Sequence, residues 1–139
     1  MIVLDTNVLS EALRPSPSSV VLRWLAAQER EAVFITTITQ AEILYGVEML
    51  PAGKRRTRLY GAVGKLFSTE FAARILPFDE ESAREFAKVV SSREAMGRPI
   101  SQFDAMIAAI CRSRRAALAT RNVRDFEHCG VRLMNPWEE

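Results

Sequence analysis

The sequence predicts a three-layer α/β/α sandwich built on a central, mostly parallel sheet of four to five strands. Three observations carry that expectation. Short apolar runs rich in β-branched residues recur along the chain, bounded by polar residues or by Pro and Gly. Segments of helical periodicity separate them, the alternation that βαβ units require. The first run, Ile2-Val3-Leu4, ends at once in Asp5-Thr6-Asn7, a polar cluster where open parallel sheets bind ligands, beyond the strand carboxyl ends.

Each element follows from local chemistry. After the first strand, Thr6 to Leu13 reads as a short helix stopped before Pro15. Ser18 or Ser19 caps a second helix through Gln28, with Val20, Val21, Trp24 and Leu25 as its apolar face. Val33-Phe34-Ile35-Thr36 is the second strand, and a helix from Thr39 to about Leu50 is broken by Pro51 and Gly53. An amphipathic helix from Lys54 to Phe67 carries the basic cluster Lys54-Arg55-Arg56-x-Arg58. Arg74 to Phe78 forms the third strand. Asp79 caps a long helix that buries Ala83, Phe86, Ala87 and Val90 and ends near Gly97. Ser101 to Arg115 is the next helix, Ala117 to Ala119 the fourth strand, and Val131 to Met134 the fifth, ended by Pro136.

Length and composition bound the function. The 139 residues suit one compact domain spanning 1–139, and 48% apolar with 26% charged residues excludes disordered and fibrous classes. A formal charge of +2 neither demands nor excludes a nucleic-acid partner. Cys111 and Cys129 are too few and too far apart for a disulfide framework or a thiolate zinc site, and read as free thiols in a reducing cytosol. The start lacks a basic n-region and long apolar h-region, and Ala105 to Cys111 is far too short to span a bilayer, so a cytoplasmic protein is expected.

The chemistry rests on acids that a parallel sheet gathers along one edge: Asp5, Glu42, Asp104 and Asp125. Each of the last three has a structural explanation. Thr39-Gln40-Ala41-Glu42 and Ser101-Gln102-Phe103-Asp104 have capping-box spacing, and Asp125 suits the cap of a turn at Phe126-Glu127-His128. Asp5 has none, because a charge directly after a buried strand is costly unless paired, coordinated or solvated. Carboxylates gathered at one edge repel unless a cation lies among them, and oxygen-only ligands favour Mg²⁺ or Mn²⁺. Such an ion activates water for attack on phosphorus, which implies phosphodiester hydrolysis.

Other chemistries fit less well. The single histidine, His128, falls in a loop without a nucleophile motif, and the chain has no Gly-x-Ser-x-Gly elbow, Walker loop or Gly-x-Gly-x-x-Gly fingerprint. A haloacid-dehalogenase pattern needs Asp where Asn7 stands. A receiver domain needs a phosphoacceptor where only the cap Asp79 is offered.

Taken together and in order, Met1-Ile2-Val3-Leu4-Asp5-Thr6-Asn7-Val8-Leu9-Ser10-Glu11, Thr39-x-Ala41-Glu42-Ile43-x-Tyr45-Gly46, Ile100-x-x-x-Asp104-x-x-Ile107-Ala108-Ala109 and Ala119-Thr120-Arg121-Asn122 resemble a PIN-domain protein. Arg74-Ile75-Leu76-Pro77-Phe78-Asp79 and Asn135-Pro136-Trp137 further resemble the VapC and FitB-like toxins of bacterial toxin–antitoxin pairs. The resemblance implies a PIN-like nuclease domain: a metal-dependent endoribonuclease using Mg²⁺, with Mn²⁺ able to substitute, that dimerises and is held inactive by a cognate antitoxin. It implies catalytic roles for Asp5, Glu42 and Asp104, with Asp5 and Asp104 as direct metal ligands. Thr6 and Thr120 would orient carboxylates or a water. Many relatives carry an acid where this chain has Asn122, so Asn122 through its carbonyl, or Asp125 from one turn further on, is the candidate fourth ligand. Arg121, Arg124 and the Lys54 cluster are candidate RNA-backbone contacts. The antitoxin would lie in an apolar groove of Val20, Val21, Trp24, Leu25, Ile43, Leu44, Val47 and Leu50. The alternative is a non-catalytic PIN-like interaction module whose acids are helix caps and partner-docking groups.

Overall fold

The structure is a computed structural model and describes residues 1–138. Strands β1 (Ile2–Leu4), β2 (Val33–Thr36), β3 (Ile75–Leu76), β4 (Ala117–Ala119) and β5 (Leu133–Met134) form one sheet in the order β3-β2-β1-β4-β5. Every neighbouring pair is parallel. The chain winds outward from β1 to β3, then crosses back to lay β4 and β5 on the other side of β1. That reversal makes the crevice beyond the carboxyl ends of β1 and β4 the topological switch point. Asp5 and Thr120 are the first residues past those two ends, and Asp5 N–H donates to Ala119 O at 2.9 Å.

Strand alternation sorts the core into two layers. Leu4, Ile35 and Ala119 face a cluster with Val8 and Leu9 of α1 (Thr6–Ala12), Val21 and Trp24 of α2 (Ser19–Ala26), Ile43 and Val47 of α3 (Thr37–Glu48), and Val63 of α4 (Lys54–Lys65). Their neighbours Val3 and Leu118 face the opposite cluster, with Val89 of α5 (Glu80–Ala95) and Ala105, Ile107, Ala108 and Ile110 of α6 (Gln102–Arg114). Each strand is therefore apolar on both faces, as a sheet covered on both sides demands.

Several boundaries differ from the sequence reading, each for a physical reason. β2 runs directly into α3: Thr36 ends the strand and caps the helix, its hydroxyl accepting from Thr39 N–H at 3.1 Å. Thr39 is thus inside the helix and Glu42 is not its capping-box partner. β3 shrinks to Ile75–Leu76, because Pro77 has no N–H for a ladder. β5 shrinks to Leu133–Met134. α4 continues as a π-helical turn, Leu66–Glu70. The turn expected after Asp125 comes earlier, as a 3₁₀ turn over Val123–Phe126, so Asp125 lies within it and caps nothing. The expected caps Ser18, Asp79 and Ser101 are in place. Cys111 and Cys129 are buried free thiols, and His128 is exposed. No helix among the described residues is long and apolar enough to cross a membrane.

Candidate active site

Asp5, Thr6, Asn7, Glu42, Asp104, Arg121, Asn122 and Trp137 are among the residues that line one cavity of about 460 Å³ at the switch point. Sequence distance between the acids is closed by topology: Asp5 follows β1, Glu42 lies in α3 directly after β2, and Asp104 sits in the first turn of α6.

Asp5 is held from three sides. Its Oδ1 accepts from Thr6 N–H at 2.8 Å, and its Oδ2 accepts from the Thr120 hydroxyl at 2.7 Å and from Asn7 Nδ2 at 3.2 Å. The side chain is 5% exposed. Burial pushes its carboxyl up to about 6; the Thr120 and Thr6 hydrogen bonds pull against that rise, while Asp104 and Glu42 add to it. Asp104 is likewise raised by burial, opposed by the Ser101 hydrogen bond and increased by Asp125.

Glu42 is positioned by a threonine relay. Thr6 Oγ1 donates to Glu42 Oε1 at 2.7 Å and lies 2.9 Å from Thr39 Oγ1. Thr120 completes its own set by accepting from Asn122 N–H at 3.0 Å and Asn7 Nδ2 at 3.3 Å. Ser101 accepts from Asp104 N–H at 3.3 Å, whereas the reciprocal bond from Ser101 N–H to the Asp104 carboxylate is missing among the described residues. Only half of that capping box forms, and the Thr39 box does not form at all.

The remaining candidates separate. Asn122 lines the cavity; Asp125 does not, and is exposed on its 3₁₀ turn, acting on Asp104 through space. Arg121 lines the cavity, while Arg124 is exposed outside it. Of the eight residues expected to form an apolar groove, Val21 and Trp24 are buried in the core, while Ile43 and Val47 are core residues that also wall a groove. A groove exists, but it is displaced: a cavity of about 540 Å³ between α1, α3 and α4 is walled by Leu13, Ile43, Val47 and Leu59, with Arg14, Arg55 and Arg58 among its lining. It shares Thr6, Ser10, Arg14 and Glu42 with the acidic cavity, so the two are continuous.

Sequence reading missed five residues here. Asn7, Ser10, Glu11 and Arg14 all line the acidic cavity, and their spacing of i, i+3, i+4 and i+7 follows one face of α1 into the turn just past its end. That polar stripe is the signal that could have found them. Glu11 is 6% exposed; it accepts from Ser18 N–H at 2.9 Å and from Arg14, which hold its carboxyl below the ordinary range. The fifth is Arg93, 4% exposed on α5, which donates to the carbonyls of Arg98, Asp125 and Glu127 and to Cys129 Sγ. It lowers the Asp104 carboxyl and braces the turn beside it. No local pattern marks it.

The donor set suits a hard cation. It is all oxygen, Asp5 is buried beside two further acids, and Asp5 and Asp104 both lie above their ordinary range. Among the described residues no three His, Cys, Asp or Glu side chains close into a ready-made cage.

Comparison with known proteins gives a consistent result. The family described as PIN domain matches residues 2–130. The chain is 38% identical over 138 residues to the VapC ribonuclease Y4jK of Sinorhizobium fredii, covering 99% of each. It is 39% identical over 139 residues to Toxin FitB of Neisseria gonorrhoeae, covering 100% of each. The crystal structure of FitAcB from that organism superimposes with a TM-score of 0.95 at 39% identity, covering 100% of both chains.

Proposed function

Because this chain belongs to the PIN-domain family, we propose that it is the ribonuclease toxin of a toxin–antitoxin pair, a metal-dependent endoribonuclease that hydrolyses RNA phosphodiester bonds. One observation carries the reading: Asp5, Glu42 and Asp104, brought from three separate elements, line one cavity at the sheet's switch point. Asp5 and Asp104 would hold Mg²⁺ or Mn²⁺. When bound, such a cation supplies a Lewis acid that activates water and neutralises charge on the phosphoryl group.

The chain's own residues do the rest. Thr120, Thr6 N–H and Asn7 lock the Asp5 carboxylate in one orientation, so little ordering remains when charge develops at the site. The Thr6 hydroxyl occupies Glu42 Oε1 and leaves Oε2 as the acceptor for a proton from the attacking water. The water oxygen bonds to phosphorus, the bond to the leaving ribose oxygen breaks, and that oxygen takes up a proton. Asn122, with its backbone N–H tied to Thr120, is better placed than Asp125 to complete the site.

The cap-only alternative loses its best support, because Glu42 is not a capping residue and Asp104 makes only half of a box. The apolar groove running into the acidic cavity suits an antitoxin segment that covers both at once, with Arg55 and Arg58 at its edge to meet acidic side chains. A homodimer is part of the same proposal; Tyr45 on α3 and Met49 at its C-cap, each 66% exposed and one turn apart, leave an apolar pair for a second copy. Purified antitoxin-free protein incubated with structured RNAs tests the enzyme. Cleavage with Mg²⁺, none with chelator and none by Asp5→Asn is expected; equal cleavage by Asp5→Asn, or none under any metal, rejects it.

A further inference from the structure

At the rim of the acidic cavity the Arg121 guanidinium lies over the Trp137 ring, 5.0 Å from its centroid, and both residues line the cavity. The pair is fastened to the acids by a short chain of hydrogen bonds. Arg121 N–H donates to Asn7 Oδ1 at 3.2 Å, and the other end of that amide donates to Asp5 Oδ2 at 3.2 Å. Trp137 is fixed in turn, its N–H donating to Asn135 Oδ1 at 3.0 Å and its ring packed in part against the core. Arg121 is exposed and forms no ion pair among the described residues. The guanidinium is therefore set over the indole, and the backbone that carries it is held beside Asp5.

A surface arginine placed only for phosphate attraction needs no such aromatic backing. A guanidinium is planar and weakly hydrated, stacks on aromatic faces, and takes an unstacked nucleobase in the same manner. We propose that Arg121, backed by Trp137, is a stacking site for one unpaired nucleobase of the RNA, adjoining the carboxylates that act on its backbone. The inference rests on the ribonuclease reading and adds a substrate requirement to it: the base next to the cut must be free of its duplex. A paired base has both faces occupied by its neighbours and cannot enter. Because stacking reads a π-face and not a hydrogen-bond pattern, the site prefers single strands without choosing a sequence.

The test uses a chain carrying Trp24→Phe, which leaves Trp137 as its one indole, and Asp104→Asn, which keeps bound RNA intact. A short single-stranded RNA of mixed sequence, the same strand annealed to its complement, and a strand with abasic sites are titrated against indole fluorescence. The parent chain's Mg²⁺-dependent cleavage is followed in parallel. The single strand should quench Trp137 and bind most tightly. Arg121→Lys, which keeps the charge and loses the plane, should weaken that binding about five- to a hundredfold and bring it level with the abasic strand. Equal binding by Arg121→Lys, or abasic and intact strands binding alike, overturns the stacking site; if the parent chain still cleaves, the ribonuclease reading survives alone. Quenching and the lysine effect without cleavage by the parent uphold the stacking site and overturn the ribonuclease reading.

Discussion

The hydroxyl of Thr6 donates to Glu42 Oε1 at 2.7 Å, tying the first residue of α1 to the second turn of α3. The same oxygen meets Thr39 Oγ1 at 2.9 Å, so with its one hydrogen committed to Glu42 it accepts from Thr39. The relay explains how an acid from one βα unit is aimed at a site built on another. A double-mutant cycle of Thr6→Val and Glu42→Gln should show a coupling of roughly 1.5–3 kcal/mol in urea unfolding, in line with one hydrogen bond to a charged group. Strict additivity would mean that the two side chains act independently.

Asp5 sets a pH dependence with a definite sign. Its carboxyl titrates near 3.8 when unfolded and about 6 when folded, so between those values the folded state binds more protons. The stability it contributes is complete below the unfolded value and is lost as pH rises through the folded one. In metal-free protein the loss amounts to roughly 3 kcal/mol. Denaturant unfolding in chelator across that range should give stability falling more steeply with pH for the parent chain than for Asp5→Asn. Parallel slopes would show that Asp5 is not raised.

The helix caps give a simpler check. Thr36 is fully buried and caps α3, so Thr36→Val, which keeps the shape and removes the acceptor, should cost about 1 kcal/mol or more. Ser101→Ala at the start of α6 should cost about 1 kcal/mol, measured by thermal or urea unfolding. A neutral Thr36→Val would return the capping role to Thr39.

Arg93 should matter far more than its distance from the acids suggests. Arg93→Met leaves three backbone carbonyls without their donor and should destabilise by about 3 kcal/mol or more. It should also push the Asp104 carboxyl further up, visible by NMR titration of the side-chain carbon. A change under 1 kcal/mol in unfolding would contradict the bracing role.

The legible parts of this molecule were those written in local pattern. All five strands were found, because buried parallel strands are apolar on both faces and stop at polar or proline residues. The caps Ser18, Asp79 and Ser101 were read from residue type alone. Asp5 stood out because nothing local explained its charge. The errors came where tertiary contact decides. Thr36 and Thr39 are both plausible caps in sequence, and only the direct passage from β2 into α3 selects the first. Asp125 suits a cap by residue type, and only the position of the 3₁₀ turn puts it inside the turn and leaves Asn122, of the two open candidates, lining the cavity. Val21 and Trp24 read equally well as a groove or a core, since apolarity does not say which side is covered. Arg93 was invisible because its partners are carbonyls more than 30 residues away in sequence, apart from that of Arg98.

The central claim is that the carboxylates at the switch point converge on one hard cation, and calorimetric titration of Mn²⁺ into metal-free protein at neutral pH addresses it most directly. The parent chain should show one saturable site whose apparent affinity weakens as the pH is lowered through about 6, because below that value Asp5 must give up the proton that burial helps it keep before it can bind the ion. Asp5→Asn and Asp104→Asn should each weaken the site by at least about ten- to a hundredfold. Equal Mn²⁺ affinity in all three proteins would contradict the account.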